Sequence, residues 1–205
     1  MNKISHSTRE LLLQAAEVLF AERGFYGVSI TDIANELTLT KQGLLHHFPT
    51  KEKIYLAVLE EAVTYLDGHM SAIIEQAEGP IEQIFGICEF FSTVEDRLIC
   101  VSRLLVRELL DNPKRAKQSR KWLLAPFLST VETILINGQK QGLFAPVHAM
   151  AFIFQILGAQ QYFIISLPTL KKMHDPEAFQ SHVDNHIKET KRIIEKTLLL
   201  DNELH

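Results

Sequence analysis

In the run Thr40, Lys41, Gln42 and Gly43, the first three residues place hydrogen-bonding side chains at what reads as the first turn of a short helix. Glutamine can pair bidentately with adenine, and lysine can bond guanine or a phosphate. Gly43 costs up to about 1 kcal/mol of helix stability relative to alanine, and its missing side chain lets backbone approach a partner closely. Ser29 and Thr31 add hydroxyls at the start of the preceding helix. His46 and His47 follow within two turns. Adjacent helical positions diverge by about 100°, so phosphate contact or packing suits this pair better than a shared metal. Lys51, just after Thr50, would add a cation to the open amides of a helix N-terminus, which is a phosphate-binding combination. All nine residues are candidates for contact with double-stranded DNA.

Other constellations carry less chemistry. His182 and His186 lie one turn apart, a zinc-compatible spacing, but no glutamate or cysteine accompanies them as in a metalloprotease motif, so a solvated helix face is the better reading. Cys88 and Cys100 lack CxxC spacing and read as reduced core residues. Lys114, Arg115, Lys117, Arg120 and Lys121 form a basic run, read as a solvated helix start with a secondary acidic or DNA contact as the alternative. No nucleophile–base set, phosphate loop or metal cluster stands out. The expectation is therefore a non-enzyme without cofactor or metal.

The elements that must position these residues are all helical. Ser7 and Glu10 have capping-box spacing for a helix over 8–23, with Leu12, Ala16, Leu19 and Phe20 as its buried stripe and Gly24 as a left-handed cap. Ser29 caps a second helix over 30–37, with Asp32 at the complementary position. Thr40 caps a third over 41–47, which Pro49 stops. Thr50 caps a fourth over 51 to about 77. Further helices are predicted over 80–93, 96–110, 114–141, 146–167 and 176–200, with a kink or break at Pro126 and a stop at Pro168.

The 205 residues are 46% hydrophobic and 22% charged, as in an ordinary globular protein. The net charge of −4 does not advertise nucleic-acid binding, and residues 1–53 carry six basic and six acidic side chains, so any such function rests on local arrangement. The polar start excludes a secretory signal, and the apolar run from Met150 to Leu167 is broken by Gln155, Gln160 and Gln161, short of a membrane span. A cytoplasmic protein with no membrane association is expected.

The segment over 29–47 has the layout of a helix-turn-helix: two short helices, a three-residue turn and a small residue, Ala34, at the crossing. The run AAEVLFAERGFYGVSITDIANELTLTKQGLLHHFPTKEKI, residues 15–54, resembles the DNA-binding domain of the tetracycline-repressor (TetR) family. Ala16, Leu19, Phe20, Gly24, Ile33, Ala34, Lys41, His47, Phe48, Lys51 and Glu52 carry the likeness. It implies an all-α protein with an N-terminal three-helix helix-turn-helix domain, residues 1–50, followed by a larger helical domain, residues 51–205, that binds a small effector and dimerises. It implies operator binding and, on effector binding, release. Two positions depart from the family pattern. Thr38 stands where the turn usually has glycine, and must avoid a left-handed conformation or accept strain. Leu45 stands where an aromatic is common, so that contact is lost or supplied by His46.

An effector would need an apolar pocket with a few polar anchors. Phe91, Trp122, Phe127 and Tyr162 are the candidate walls, and Arg103 and Arg107, four apart on one helix, the candidate anchors for an anion. Salt bridges with Glu108 or Glu89 explain the arginines equally well. Phe152, Gln155, Ala159 and Phe163 on one helix, with Phe179, Val183, Ile187 and Ile194 on the next, are the candidate homodimer interface, intramolecular packing being the other use of such stripes. Two reading heads one DNA turn apart would match a palindromic operator. The sequence thus points to a ligand-released repressor. The alternative is a DNA-binding regulator controlled by a protein partner or constitutive.

Overall fold

The computed structural model describes residues 7–111 and 123–200. Among them the regular elements are α1 (Thr8–Arg23), α2 (Ile30–Glu36), α3 (Lys41–His47), α4 (Lys51–Gln76), α5 (Pro80–Phe90), α6 (Asp96–Asp111), α7 (Ala125–Lys140), α8 (Ala149–Met173) and α9 (Pro176–Leu198). The fold is all-α; the one β feature described is an isolated bridge between Phe144 and Leu199. Trp122 and the basic run over 114–121 lie outside the described residues.

The helices fall into two compact units. The first holds residues up to 65 together with 100–122, and the second holds 66–99 and 123–205. In the first, α1 packs on α2 and α2 on α3, around fully buried Leu12, Phe20, Ile33, Leu44 and Ile54. Ser7 and Glu10 complete the expected capping box on α1. Gly24 ends α1 with φ 72° and ψ 172°, so its positive φ is the expected one while its ψ is extended rather than helical.

In the second unit α5, α7, α8 and α9 pack on one another around Ile87, Leu135, Ile153, Ile164 and Leu167. Prolines account for the main departures from the sequence reading. Pro126 sits in the first turn of α7, where its missing N–H costs nothing, rather than kinking a longer helix. Pro146 lies before α8, whose N-cap is His148. Pro168 does not close α8: the helix runs through it to Met173, held by Ile164 and Leu167, which are buried in the turn before the proline. At 25 residues α8 is long and apolar enough to meet the length and composition of a membrane span, which corrects the shorter reading of that stretch. Its inward face belongs to the packed core of this unit, and Gln160 on that face is hydrogen-bonded through both its amide oxygen and its amide nitrogen. Burial pushes the Cys88 thiol up to about 12, as suits an inert core residue, and neither cysteine is in a disulfide.

Candidate nucleic-acid interface

Helices of seven residues have too few internal hydrogen bonds to stand alone, so α2 and α3 depend on their ends. At α2, the Ser29 hydroxyl accepts from the Asp32 amide at 3.1 Å, and the Asp32 carboxylate accepts from the Ser29 amide at 2.7 Å. The Ser29 hydroxyl, then its amide, hold the Asp32 carboxyl below its ordinary pKa. At α3, the Thr40 hydroxyl accepts from the Gly43 amide at 3.1 Å. The turn between them closes through Leu39 N–H donating to Ala34 O at 2.9 Å. Thr38 adopts φ 53°, so it accepts the left-handed conformation, and its hydroxyl donates to Leu37 O at 2.7 Å.

This geometry leaves Lys41, Gln42, His46 and His47 exposed along α3, while Leu44 and the following Phe48 anchor its other face in the core. Arg9 lies over the Phe48 ring at 5.1 Å. Ser29, Thr31 and Thr40 are solvent-facing as well, although two of these hydroxyls are committed to capping. A side chain at Gly43 would bring its Cβ to 3.3 Å from the Thr40 hydroxyl, so glycine there protects the cap as well as keeping the surface low. The two histidine rings stand 5.8 Å apart at 75°, edge to face.

Lys51 departs from its expected part. Its ammonium donates to Phe25 O at 2.9 Å and Val28 O at 3.0 Å, and sits 4.1 Å from the centre of the Phe25 ring. It holds the α1–α2 loop instead of presenting a cation. The amides at the start of α4 keep partners of their own: the Thr50 hydroxyl accepts from Lys53 N–H at 3.3 Å, and Glu52 is held below its usual pKa by its own amide and by Thr50.

Arg107 is a second clamp. Its guanidinium donates to Ala21 O at 2.9 Å and Glu22 O at 2.6 Å, satisfying carbonyls at the end of α1. Arg103 and Arg107 lie in the first unit; Phe91, Phe127 and Tyr162 lie in the second. Of the acidic residues named as alternative partners, Glu108 accepts from Tyr55 OH at 2.7 Å and Glu89 pairs with Lys191 at 3.7 Å. Phe91 and Phe127 are buried and meet edge to face at 5.6 Å, which makes them core. Tyr162 is 73% exposed. It lines, with Phe163, Leu170 and His186, an open cleft of about 590 Å³.

The interface stripe divides in the same way. Phe152, Val183 and Ile194 are buried within the protomer, which corrects their assignment to an intersubunit surface. Gln155 and Ala159 are exposed; Phe163, Phe179 and Ile187 are half-buried. Sequence reasoning missed the outward apolar residues Phe154, Met173 and Ile193, and gave Tyr162 another use. The signal was present in α8, where Phe154, Gly158, Tyr162, Ser166 and Met173 form a second stripe in another phase.

Residues 12–58 match the family model of bacterial regulatory proteins of the tetR family. The chain is 30% identical over 150 residues to the HTH-type transcriptional repressor KstR2 of Mycolicibacterium smegmatis, covering 68% of this chain and 69% of that protein. The chain belongs to the TetR family. Members of this family are transcription regulators that bind DNA, and the N-terminal helix-turn-helix is the part the family model covers. Among solved structures, a transcriptional regulator from Saccharomonospora viridis in complex with choline superposes with a TM-score of 0.74 at 24% identity, over 94% of this chain and 97% of that one. AibR in complex with isovaleryl coenzyme A and operator DNA superposes with a TM-score of 0.68 at 19% identity, over 88% and 96% of the two chains. These last two share the fold of this TetR-family chain.

Proposed function

We propose that this regulator is a cytoplasmic repressor, not an enzyme, that binds a palindromic operator as a homodimer and is released by a small-molecule effector. The observation that carries the reading is the start of α3, where a capped helix end presents Lys41 and Gln42 side by side and exposed above an apolar anchor. That is the arrangement by which a recognition helix offers its N-terminal residues to the major groove. Ser29, Thr31, Thr40, Gly43, His46 and His47 flank them as phosphate or backbone contacts. The reading head is residues 1–50, and the remainder binds effector and partner. KstR2 is named a repressor, and the choline and isovaleryl coenzyme A complexes supply small molecules held by the same fold.

The dimer surface is the outward stripe of α8 and α9, with Phe154, Gln155, Ala159, Tyr162 and Ile193 at its centre. Exposed apolar side chains repeating along two neighbouring helices are what a second copy would cover. One observation favours the alternative, a regulator answering to a protein partner or to nothing: Phe91 and Phe127 fill core instead of walling a cavity.

The test is selection of binding sites from random duplexes, repeated with Gln42→Ala. A palindromic consensus is expected, and the variant should lose about 1–3 kcal/mol of discrimination at one base pair per half-site. An unchanged consensus with the variant would remove Gln42 from base reading. Operator release is then screened against small molecules. Release by none of them, with operator binding intact, would support the alternative.

A further inference from the structure

The reading helix carries a full positive charge at one end only. α3 has Lys41 in its first turn, while its last turn has His46 and His47 and no lysine or arginine. The next lysine along the chain, Lys51, is committed to the carbonyls of Phe25 and Val28. A helix lying in the major groove passes between two rows of phosphates, and contacts to them fix its register on the duplex. A cation for the far end of α3 has to come from elsewhere in the first unit.

Arg9, in the first turn of α1, reaches that end. Its guanidinium carbon lies 5.1 Å from the centre of the Phe48 ring, and Phe48 is the residue that caps the C-terminus of α3. Phe48 is only 4% exposed, so the platform belongs to the core, while Arg9 itself is exposed. Among the described residues no carboxylate takes up its charge. Glu10, its neighbour in sequence, turns its carboxylate back to the Ser7 amide at 3.0 Å. The positions three and four further on are the buried Leu12 and Leu13, so α1 places no acid one turn beyond Arg9.

An arginine stacked on a ring uses the flat face of its guanidinium and keeps the N–H groups at the edge for planar acceptors. Phosphate oxygens are acceptors that this fork matches. The ring also confines a long side chain before any partner arrives, so less rotamer freedom is lost on contact.

We propose that Arg9 is a DNA-backbone contact of this regulator, held on the Phe48 ring so that its guanidinium meets a phosphate at the end of α3 opposite Lys41. The assignment rests on the reading of α3 as the recognition helix. It brings α1 into the interface and gives the phosphate role that Lys51 does not fill to a side chain from another helix.

The test is the salt dependence of duplex binding by the full chain, measured on the selected consensus and on an unrelated duplex. Arg9→Ala should weaken both by a similar factor and make the slope of log affinity against log salt shallower by about one per protomer. The selected consensus should stay the same, because a phosphate contact carries no base information. Arg9→Lys keeps the charge and should restore most of the slope. Lys140→Ala removes the same charge from an exposed position in the second unit and should leave the slope as it was. An unchanged slope in Arg9→Ala, an equal change in Lys140→Ala, or a consensus altered by Arg9→Ala would each overturn the assignment while the reading of α3 stood. No duplex binding by the unsubstituted chain would remove that reading and this assignment with it.

Discussion

In the first unit the short helices lean on polar side chains at their ends; the second has caps at His148 and Asp175 too, but it also joins polar side chains in a buried network. Ser7, Ser29 and Thr40 cap α1, α2 and α3, and Lys51 and Arg107 reach back to loop and helix-end carbonyls. The second unit has helices of 25 and 23 residues in α8 and α9, where end effects are diluted. It adds a chain of polar contacts in its interior: Ser92 to Gln160 at 2.8 Å, Gln160 to Thr190 at 2.8 Å, and His186 Nε2 to Gln160 Oε1 at 3.0 Å. The Ser92 hydroxyl has one proton and so serves either Gln160 or Cys88 O, also at 2.8 Å. Short helices need their termini satisfied to exist. Long apolar helices form readily but can slide or rotate, and a buried polar junction joining the turn after α5 to α8 and α9 opposes that.

The largest effect that would break this contrast is at the junction. Gln160→Leu removes the Gln160 partner of Thr190 and of the His186 ring, while Ser92 keeps Cys88 O, and should cost about 2 kcal/mol, read from the urea midpoint. Gln155→Leu, one turn away but exposed, should stay within about 0.5 kcal/mol. Equal effects would show that the interior network has no special share in the second unit. The network also carries a pH signature. Burial holds His186 below its ordinary 6.5, while its ring stacks on Phe163 at 3.7 Å. As pH falls, the unfolded chain takes up the proton first, so the contribution of neutral His186 is present above about 6.5 and is lost progressively below it. His186→Gln should flatten the loss of stability between about pH 7 and 5, and an unchanged profile would remove His186 from it.

Lys51 comes next. With two carbonyls and a ring as partners, Lys51→Met should destabilise the first unit by about 2 kcal/mol. The salt dependence of operator binding should keep its slope, whereas Lys41→Ala should lower it by about one if Lys41 meets a phosphate. A slope reduced by about one in Lys51→Met would restore Lys51 as a phosphate contact and blur the line between clamp and reader.

The same contrast explains what could be read in the sequence. The boundaries of α1 and α3 and the capping boxes on α1 and α2 are written within three residues of one another, and the sequence reading of them stands. The partners of Lys51 and Arg107 are 23 to 86 positions away, and a basic side chain looks the same whether it faces DNA, a ligand or a carbonyl. In α8 two apolar stripes coexist, and periodicity alone does not say that Phe152 and Ile156 are core while Phe154 and Tyr162 face out. That choice is made by α7 and α9, which pack on one side of the helix. Pro168 misled for the same reason: a local rule ended the helix, and tertiary burial of Ile164 and Leu167 carried it on.

The smaller predictions sharpen the first unit's dependence on its ends. Ser29→Ala removes half of the capping box and should cost about 1 kcal/mol. Acid should unmake the other half, because the bond from Ser29 N–H to Asp32 is present above the ordinary carboxylate pKa and is lost as pH falls through the lowered value.

Thr38 gives the smallest effect and the closest balance. A β-branched residue at φ 53° carries strain of order 1 kcal/mol, which Thr38→Gly would relieve. The same change frees the unfolded chain and deletes the hydroxyl bond to Leu37 O. The opposing terms leave an expected gain of about 0.5 kcal/mol in the urea midpoint. A net loss would mean that the threonine hydroxyl, rather than the turn's backbone geometry, holds α2 and α3 at their angle, and the end-satisfaction seen at Ser29 and Thr40 would extend through the turn itself.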